Sequence, residues 1–226
     1  MKKPKTLLPV IEIFYSIQGE AFSIGKPAVF VRFGGCDLRC KFCDTKYAFE
    51  PKNWKWMKTY DIAKKIRSYP TKLVIFTGGE PLLYQNGISK ILHYLPKKYK
   101  IEIETNGTIW PFPISMRHKI QYNVSSKLES SGNLKSARYK PEILKEFNRL
   151  GAIFKFVIQT EKDWKEMEKI IKEIKIPPER VWVMPEGTSI KVLKKRSLWL
   201  IPKIKKKGYN YSPRLQIWLW GKKRGV

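Results

Sequence analysis

Short apolar runs rich in β-branched residues recur along the chain and are separated by more polar segments. Runs of this length, bounded by Gly, Pro or charged residues, predict strands, whereas helices need longer periodic segments. The first runs follow one another closely, so the chain begins rich in strands and continues with strands and helices in alternation. The predicted strands cover residues 10–14, 29–33, 73–76, 101–104, 120–124, 152–158, 181–184 and 215–218.

Four of the intervening segments carry apolar residues at helical spacing. They cover residues 61–69, 81–95, 141–150 and 163–174. Pro81 and Pro141 suit the first turn of a helix, where the missing N–H of proline costs nothing. Strands that alternate with helices predict the α/β class, with helices packed on a mainly parallel sheet.

The chain has no Ser/Gly-rich linker and no internal repeat, so residues 1–226 are predicted to form a single domain. Residues 49–58 contain two tryptophans and little helical pattern, which predicts an insertion or a lid. Residues 110–119 contain two prolines and are short for a helical crossover, so they predict a loop. Residues 194–207 place lysines beside apolar residues, which is typical of an amphipathic surface segment.

Basic residues far outnumber acidic ones: 46 Lys and Arg stand against 19 Asp and Glu, a formal net charge of +27. Residues 187–226 form a basic C-terminal segment without any acidic residue. Such charge is typical of proteins that bind nucleic acid. Most of these bases are Lys, however, and Arg is the better phosphate ligand, so a solvated surface or a heat-adapted composition also explains the charge.

No apolar stretch approaches the roughly 18 residues of a transmembrane helix. Near the start of the chain, Pro9 and Glu12 interrupt an apolar segment, and no small-residue cleavage site follows. This pattern argues against a signal peptide. The sequence therefore predicts a cytoplasmic protein that does not use a membrane.

Three cysteines, Cys36, Cys40 and Cys43, lie within eight residues. An odd number of thiols in one short loop does not form a disulfide framework, so the pattern indicates metal ligands in a reducing compartment. Three thiolates leave one coordination position open, whereas structural zinc sites normally have four protein ligands. The pattern favours an iron–sulfur cluster that binds a substrate molecule at its open iron. A zinc site completed by a partner or by water, and plain reduced thiols, remain alternatives.

A second motif, Thr77-Gly78-Gly79-Glu80-Pro81, follows the third predicted strand. Its glycines allow a ligand to approach the backbone, and exposed carbonyls together with Glu80 suit a ligand ammonium group. Polar clusters also lie at the ends of three other predicted strands, at residues 102–107, 125–127 and 184–187. Because the carboxyl ends of parallel strands meet at one edge of a sheet, these clusters predict one cofactor pocket.

The C-x3-C-x2-C arrangement, with Phe42 directly before the third cysteine, resembles the radical S-adenosylmethionine (SAM) superfamily. The resemblance implies that Cys36, Cys40 and Cys43 hold a [4Fe-4S] cluster whose open iron binds the amino and carboxylate groups of SAM. The glycine motif is similar to the GGEP motif of that superfamily, which accepts hydrogen bonds from the SAM amino group. The resemblance also implies a partial, open (β/α) barrel of the radical SAM type with a modified, helix-poor core.

The combination of S-x-Q-G-E at residues 16–20, VRFGGCDLRCKFCDT at residues 31–45, TGGEP and ETNGT closely resembles the 7-carboxy-7-deazaguanine synthase family. This resemblance implies that the substrate is 6-carboxy-5,6,7,8-tetrahydropterin. The implied reaction is a radical ring contraction with loss of ammonia, which gives the 7-deazapurine precursor of the tRNA nucleosides queuosine and archaeosine. The implied partners are a second copy of the chain in a homodimer and an electron donor such as a flavodoxin or ferredoxin. No direct contact with nucleic acid is required.

The same resemblance implies the role of individual residues. Thr45 corresponds to the Mg2+ ligand, and it offers the hard oxygen donor that this ion prefers. Ser125-Ser126-Lys127 stands where the family often has Ser-Pro-Lys, a departure that affects the backbone at this point. The implied substrate contacts are Ile17, Gln18, Gly19, Arg32 and Thr77. The implied SAM contacts are Phe42, Cys43, Asp44, Gly79, Ser125, Ser126, Lys127, Met184, Pro185, Glu186 and Gly187.

Two other functions remain open at this point. A radical SAM activase would generate a glycyl radical on another protein, and it would need a groove for a polypeptide rather than a pocket for a pterin. The forked donor of Arg32 and the amide and carboxylate within residues 16–20 favour the small molecule. A basic RNA-binding module with a structural metal would explain the net charge, but it would leave the cysteine spacing and TGGEP unexplained.

Overall fold

The computed structural model describes residues 7–111 and 118–226. Within these residues, nine strands form one sheet. The strands are β1 (Leu7–Ile17), β2 (Pro27–Phe33), β3 (Lys55–Lys58), β4 (Leu73–Gly78), β5 (Lys100–Thr105), β6 (Ile120–Val124), β7 (Ile153–Ile158), β8 (Val181–Pro185) and β9 (Asn210–Tyr211). Their order across the sheet is β3-β1-β2-β4-β5-β6-β7-β8-β9. β1 runs antiparallel to β2 and β3, and the other neighbouring strands are parallel.

The connections between the parallel strands carry most of the helices, because a parallel pair needs a long crossover. In the described part of the chain the helices are α1 (Thr59–Arg67), α2 (Gln85–His93), α3 (Lys135–Arg138), α4 (Pro141–Arg149), α5 (Glu161–Ile174), α6 (Ile190–Lys207) and α7 (Leu215–Trp220). Between β5 and β6, the described residues contain no helix. The middle of the loop predicted at residues 110–119, residues 112–117, lies outside the described residues. Among the described helices, none has both the length and the apolar character needed to cross a bilayer.

The two faces of the sheet differ sharply in polarity. Phe33 and Phe76 lie on the face that packs against the helices, and both are fully buried in the main hydrophobic core. On the opposite face, Phe30 and Ile75 belong to a smaller apolar cluster. Because side chains alternate along a strand, the polar residues between the apolar ones share that second face. They are Glu12, Arg32, Thr77, Glu102, Glu104, Asn123 and Lys155.

The α/β class and the open, barrel-like sheet of the sequence analysis are confirmed. Seven of the eight predicted strands are present, and the sheet ends at β3 and β9 rather than closing. The four predicted helices are also present, although the one expected at residues 81–95 begins as a 3-10 turn, Pro81–Tyr84, before α2 starts.

The strand predicted at residues 215–218 is wrong, because these residues begin α7. The Leu215 N–H donates to the Gly19 carbonyl at 2.9 Å, and Ile217 is buried while Trp218 is 54% exposed. A short apolar run fits a strand or a helix equally well, and here contacts with a distant loop decided between them.

Two other segments gain regular structure that the sequence pattern did not predict. Residues 49–58, predicted as an insertion or lid, contain the edge strand β3, which pairs with β1. The amphipathic segment predicted at residues 194–207 belongs to α6, which begins earlier, at Ile190, and continues through Pro202.

Candidate active site

The cysteine loop, residues 34–45, follows β2. It packs directly on the glycine motif, residues 77–81, at the end of β4. Gly79 N–H donates to the Phe33 carbonyl at 3.0 Å, and Glu80 N–H donates to the Gly35 carbonyl at 2.9 Å. A Cβ atom added at Gly79 would lie 1.7 Å from the Gly35 oxygen. Only glycine therefore allows this backbone approach, which brings the cysteines next to TGGEP.

All three cysteines are free thiols; Cys40 is buried, whereas Cys36 and Cys43 are partly exposed. The sulfur of Cys36 accepts from the Leu38 N–H at 3.4 Å, and that of Cys40 accepts from the side-chain amide of Asn133 at 3.3 Å. Burial raises the pKa of the Cys36 thiol to about 12 and also raises that of Cys40, so a bound cation is needed to favour the thiolates.

This donor set fits a [4Fe-4S] cluster: three thiols in one partly buried loop, with N–H groups directed at two of the sulfurs. In the part of the chain that the structure describes, no three Cys, His, Asp or Glu side chains converge on a single metal ion. A cluster does not require such convergence, since each cysteine binds a different iron atom.

Two later loops hold the cysteine loop in place. Asp37 accepts hydrogen bonds from the Asn106 amide at 2.7 Å and from the Thr108 hydroxyl at 2.5 Å, in the loop after β5. In the loop after β6, the Ser131 carbonyl accepts from the Lys41 N–H at 2.9 Å. The three cysteines are thereby fixed against the carboxyl ends of β5 and β6.

Glu80 of the glycine motif is completely buried, and three donors face its carboxylate. These are Leu82 N–H at 3.0 Å, the Thr105 hydroxyl at 2.8 Å and Asn106 N–H at 2.7 Å. Burial raises its pKa to about 7 even though these hydrogen bonds oppose the shift. In the structure Glu80 joins the glycine motif to ETNGT, and its predicted contact with a ligand ammonium stays a prediction.

Gln18 and Thr77, two of the predicted substrate contacts, meet at Glu104. The Thr77 hydroxyl donates to one carboxylate oxygen of Glu104 at 2.7 Å, and the Gln18 amide donates to the other at 3.0 Å. Gln18 and Thr77 are themselves buried. The sequence placed Glu104 in a polar cluster but assigned it no role, because its partners lie on other elements.

Arg32, the predicted anchor for a substrate carboxylate, lies beside Thr77 in the register of β2 and β4. Its Nε donates to Glu12 at 2.7 Å, so one part of the guanidinium already has a carboxylate partner. Ile17 lines a pocket of about 210 Å3 with Trp220 and Val226. The Ser16 hydroxyl donates to the backbone oxygen of Val226 at the edge of this pocket.

A buried ion network joins the S-x-Q-G-E motif to the end of the chain. The Glu20 carboxylate accepts from Lys155 through one oxygen, and from Arg214 at 3.1 Å and Gln216 at 2.7 Å through the other. Burial opposes ionisation of Glu20, but the two cations hold its pKa well below the usual range. A Cβ atom added at Gly19 would lie 1.9 Å from the Gln216 side-chain oxygen, so any larger residue there would displace the end of the Gln216 side chain.

Arg214 extends this network to two predicted SAM contacts. Its guanidinium donates to the Asp44 carboxylate, just after the third cysteine, and to the Gly187 carbonyl at 2.7 Å, just after β8. Lys155 and Arg214 were not predicted from the sequence pattern. The only available signal was a charged residue inside an apolar run, as in Ile-Phe-Lys-Phe-Val-Ile for Lys155.

The remaining predicted SAM contacts lie at the ends of β6 and β8, except Phe42, which lies in the cysteine loop. Lys127 donates to the carbonyl and hydroxyl of Ser125 at 2.7 and 2.8 Å. The buried hydroxyl of Ser126 has no hydrogen-bond partner among the described residues, a feature that calls for a ligand or water. Glu186 is less available, since its carboxylate is paired with Arg196. Met184 and Pro185 are buried, and Phe42 is partly exposed.

Known proteins similar to this chain include members of one superfamily and one enzyme family within it. The family model described as the Radical SAM superfamily matches residues 30–210. The chain is similar to the 7-carboxy-7-deazaguanine synthase of Pyrobaculum aerophilum, 36% identical over 220 residues that cover 96% of each protein. It is also similar to that of Hyperthermus butylicus, 34% identical over 218 residues, 94% of this chain and 92% of the relative. The crystal structure of QueE from Escherichia coli shares the fold, with a TM-score of 0.72 at 21% identity over 92% of this chain and 94% of that one.

Proposed function

We propose a role for each part of the site in this chain, which belongs to the radical SAM superfamily and, within it, to the 7-carboxy-7-deazaguanine synthase family. The chain is a radical SAM lyase of 7-deazapurine biosynthesis that uses a [4Fe-4S] cluster and SAM. It converts 6-carboxy-5,6,7,8-tetrahydropterin to 7-carboxy-7-deazaguanine with loss of ammonia. Neither a glycyl radical activase nor an RNA-binding module is favoured.

One observation supports the assignment of the site more than any other. The cysteine loop, TGGEP and ETNGT are joined by backbone hydrogen bonds and by the Glu80 carboxylate, although they follow three different strands. Near the carboxyl ends of β4 and β5, Glu104 accepts from the Thr77 hydroxyl and from the Gln18 side chain, which reaches it from the loop after β1. We propose that these groups, near the carboxyl ends of β2, β4 and β5, hold a cluster, a cofactor and a polar heterocycle.

Cys36, Cys40 and Cys43 would hold the cluster. When bound, the cluster and SAM supply the radical chemistry that removes a hydrogen atom from the pterin. SAM would lie along the carboxyl ends of β4, β6 and β8, with the Gly79 backbone and the unpartnered Ser126 hydroxyl among its contacts. The other SAM contacts we propose are Phe42, Asp44, Ser125, Lys127 and residues 184–187.

Gln18 and Thr77 would hydrogen-bond the polar edge of the pterin, together with the Gly19 backbone. Glu104 fixes the orientation of both side chains, so a substrate meets donors and acceptors that are already positioned. Arg32 would bind the substrate carboxylate through the end of its guanidinium, since Glu12 holds Nε. Ile17 would contribute an apolar contact at the margin of the substrate site.

The activity itself is tested by anaerobic cluster reconstitution followed by incubation with reductant, SAM, Mg2+ and 6-carboxy-5,6,7,8-tetrahydropterin. We expect mass spectrometry to detect 7-carboxy-7-deazaguanine and 5′-deoxyadenosine. SAM cleavage with an unchanged pterin would contradict the substrate. A failure to cleave SAM despite a fully loaded cluster would contradict the reaction as a whole.

Thr45 is the proposed Mg2+ ligand, and its hydroxyl lies 3.5 Å from the Cys43 sulfur. Thr45→Ala removes this oxygen without touching a thiol, so we expect half-maximal activity to need about tenfold more Mg2+, equivalent to ~1.4 kcal/mol. Steady-state rates measured against Mg2+ concentration check this. Thr45→Ser, which keeps the hydroxyl, is the control; equal Mg2+ dependence in the Ala and Ser variants would remove Thr45 from the metal site.

The enzyme acts on a small molecule and needs a reductant. We propose in addition that a flavodoxin or ferredoxin supplies the electron, that the enzyme is a homodimer, and that it works in the cytoplasm. We also propose that residues 1–226 act as one radical SAM domain, since a single sheet carries every part of the site described above.

A further inference from the structure

Asn133 contacts the cysteine loop but has none of the roles proposed above. Its side-chain N–H2 donates to the Cys40 sulfur at 3.3 Å and to the Ser131 hydroxyl at 3.2 Å. Its side-chain carbonyl accepts from the Arg39 N–H at 2.8 Å. One amide group therefore binds both a predicted cluster ligand and the backbone directly before it.

The position of Asn133 is fixed independently of these contacts. The Lys41 N–H donates to the Ser131 carbonyl at 2.9 Å. Gly132 has a positive φ of 77° and packs on the Lys41 side chain, where an added Cβ would lie 2.5 Å from the Lys41 Cε. Residues 131–133 thus run along residues 39–41, which keeps the Asn133 amide at the Cys40 sulfur.

We propose that Asn133 is a positioning residue that sets the reduction potential of the cluster. Hydrogen bonds to the sulfurs are one of the means by which proteins tune this potential. Reduction adds a negative charge to the cluster, and an N–H group directed at a ligand sulfur stabilises that charge. The amide of Asn133 therefore raises the midpoint potential and makes the cluster easier to reduce.

The three cysteines differ in the donors that face their sulfurs. The Cys36 sulfur receives a backbone N–H, and the amide of Asn106 lies farther away at 3.9 Å. The nearest hydroxyl to the Cys43 sulfur is that of Thr45, at 3.5 Å. Asn133 is the closest side-chain N–H donor to a cysteine sulfur among the described residues, so its removal should change the potential most.

The test is a potentiometric titration of the reconstituted protein, with the reduced cluster followed by electron paramagnetic resonance. Asn133→Leu removes the donor without adding charge, and Asn133→Asp removes it while keeping the oxygen that accepts from Arg39. We expect a more negative midpoint potential in both variants at full iron content. The neighbouring, 78% exposed Leu134 supplies the control, Leu134→Ala, which should keep the wild-type potential.

Unchanged potentials in both Asn133 variants, at full iron content, would overturn the proposal. If the variants fail to load a cluster, wild-type protein labelled with 15N-asparagine provides a second measurement. Because the Asn106 amide lies 3.9 Å from the Cys36 sulfur, the same labelling is repeated in Asn106→Asp. A 15N hyperfine coupling to the reduced cluster that persists in Asn106→Asp supports the contact of Asn133, and its absence from that variant overturns the contact. The inference rests on Cys40 as a cluster ligand; a wild-type protein that binds no iron would contradict the proposed function itself, whereas the outcomes above concern only Asn133.

Discussion

We expect Cys40→Ala to retain no stable [4Fe-4S] cluster and to form no detectable 7-carboxy-7-deazaguanine. Cys40 is the most buried of the three cysteines, and its sulfur faces the Asn133 amide. Its loss leaves two thiols for a cluster that needs three protein ligands and an open iron for SAM. Iron and sulfide content, the visible absorbance of the cluster and product detection by mass spectrometry measure the effect.

The exposed Lys46, in the turn that follows the cysteine loop, provides a matched control. Lys46→Ala should reconstitute and turn over like the wild type. Circular dichroism of the unreconstituted proteins separates loss of the cluster from loss of the fold. Normal iron content together with normal turnover in Cys40→Ala would remove Cys40 from the ligand set.

Glu20→Gln is expected to have the largest effect on stability. The substitution keeps the size of the side chain but removes the carboxylate that two buried cations share, so that Lys155 loses its ion pair while Arg214 keeps only Asp44. Breaking a buried ion pair by removing one partner costs about 3–5 kcal/mol, so we expect the free energy of unfolding to fall by about that amount. Urea denaturation followed by circular dichroism measures it.

The effect of Glu20→Gln should depend on pH in a defined direction. Lys155 and Arg214 hold the pKa of Glu20 below its usual range in the folded protein. The carboxylate therefore contributes its full stability above the unfolded-state pKa, about 4.3, and loses it as the pH falls below that value toward the folded-state pKa. The difference in unfolding free energy between wild type and variant should narrow as the pH falls below about 4.

A surface ion pair serves as the comparison for this network. Glu142 pairs with Lys145 on α4, and both side chains are about half exposed or more. Water screens such pairs, so Glu142→Gln should leave the unfolding midpoint unchanged. A Glu20→Gln variant as stable as Glu142→Gln at neutral pH would show that the buried network does not stabilise the fold.

The predicted strands and helices depended on local patterns, and most of them are present. Residues 120–124 form a strand with the predicted bounds because β-branched and aromatic residues favour extended backbone and pack on the sheet. Residues 215–218 show where such patterns fail. Six consecutive residues with mostly apolar side chains suit either state, and the hydrogen bond from Leu215 to Gly19, almost two hundred residues earlier in the chain, accompanies the helix.

The sequence by itself determined the chemistry of the cluster site and the fold class. The three cysteines and the glycines of TGGEP each lie within a single short segment, so the sequence alone shows these groups and their spacing. Only the tertiary structure decided which side chains surround them. Gln18 with Glu104, Glu20 with Arg214, and Asn133 with Cys40 are pairs 86, 194 and 93 positions apart. Asn133 meets Cys40 because parallel strands bring the loops at their carboxyl ends together, whereas Gln18 and Glu20 lie in the loop after β1, which runs antiparallel to β2. In each pair a buried charge or amide needs a partner, a requirement that no local pattern encodes.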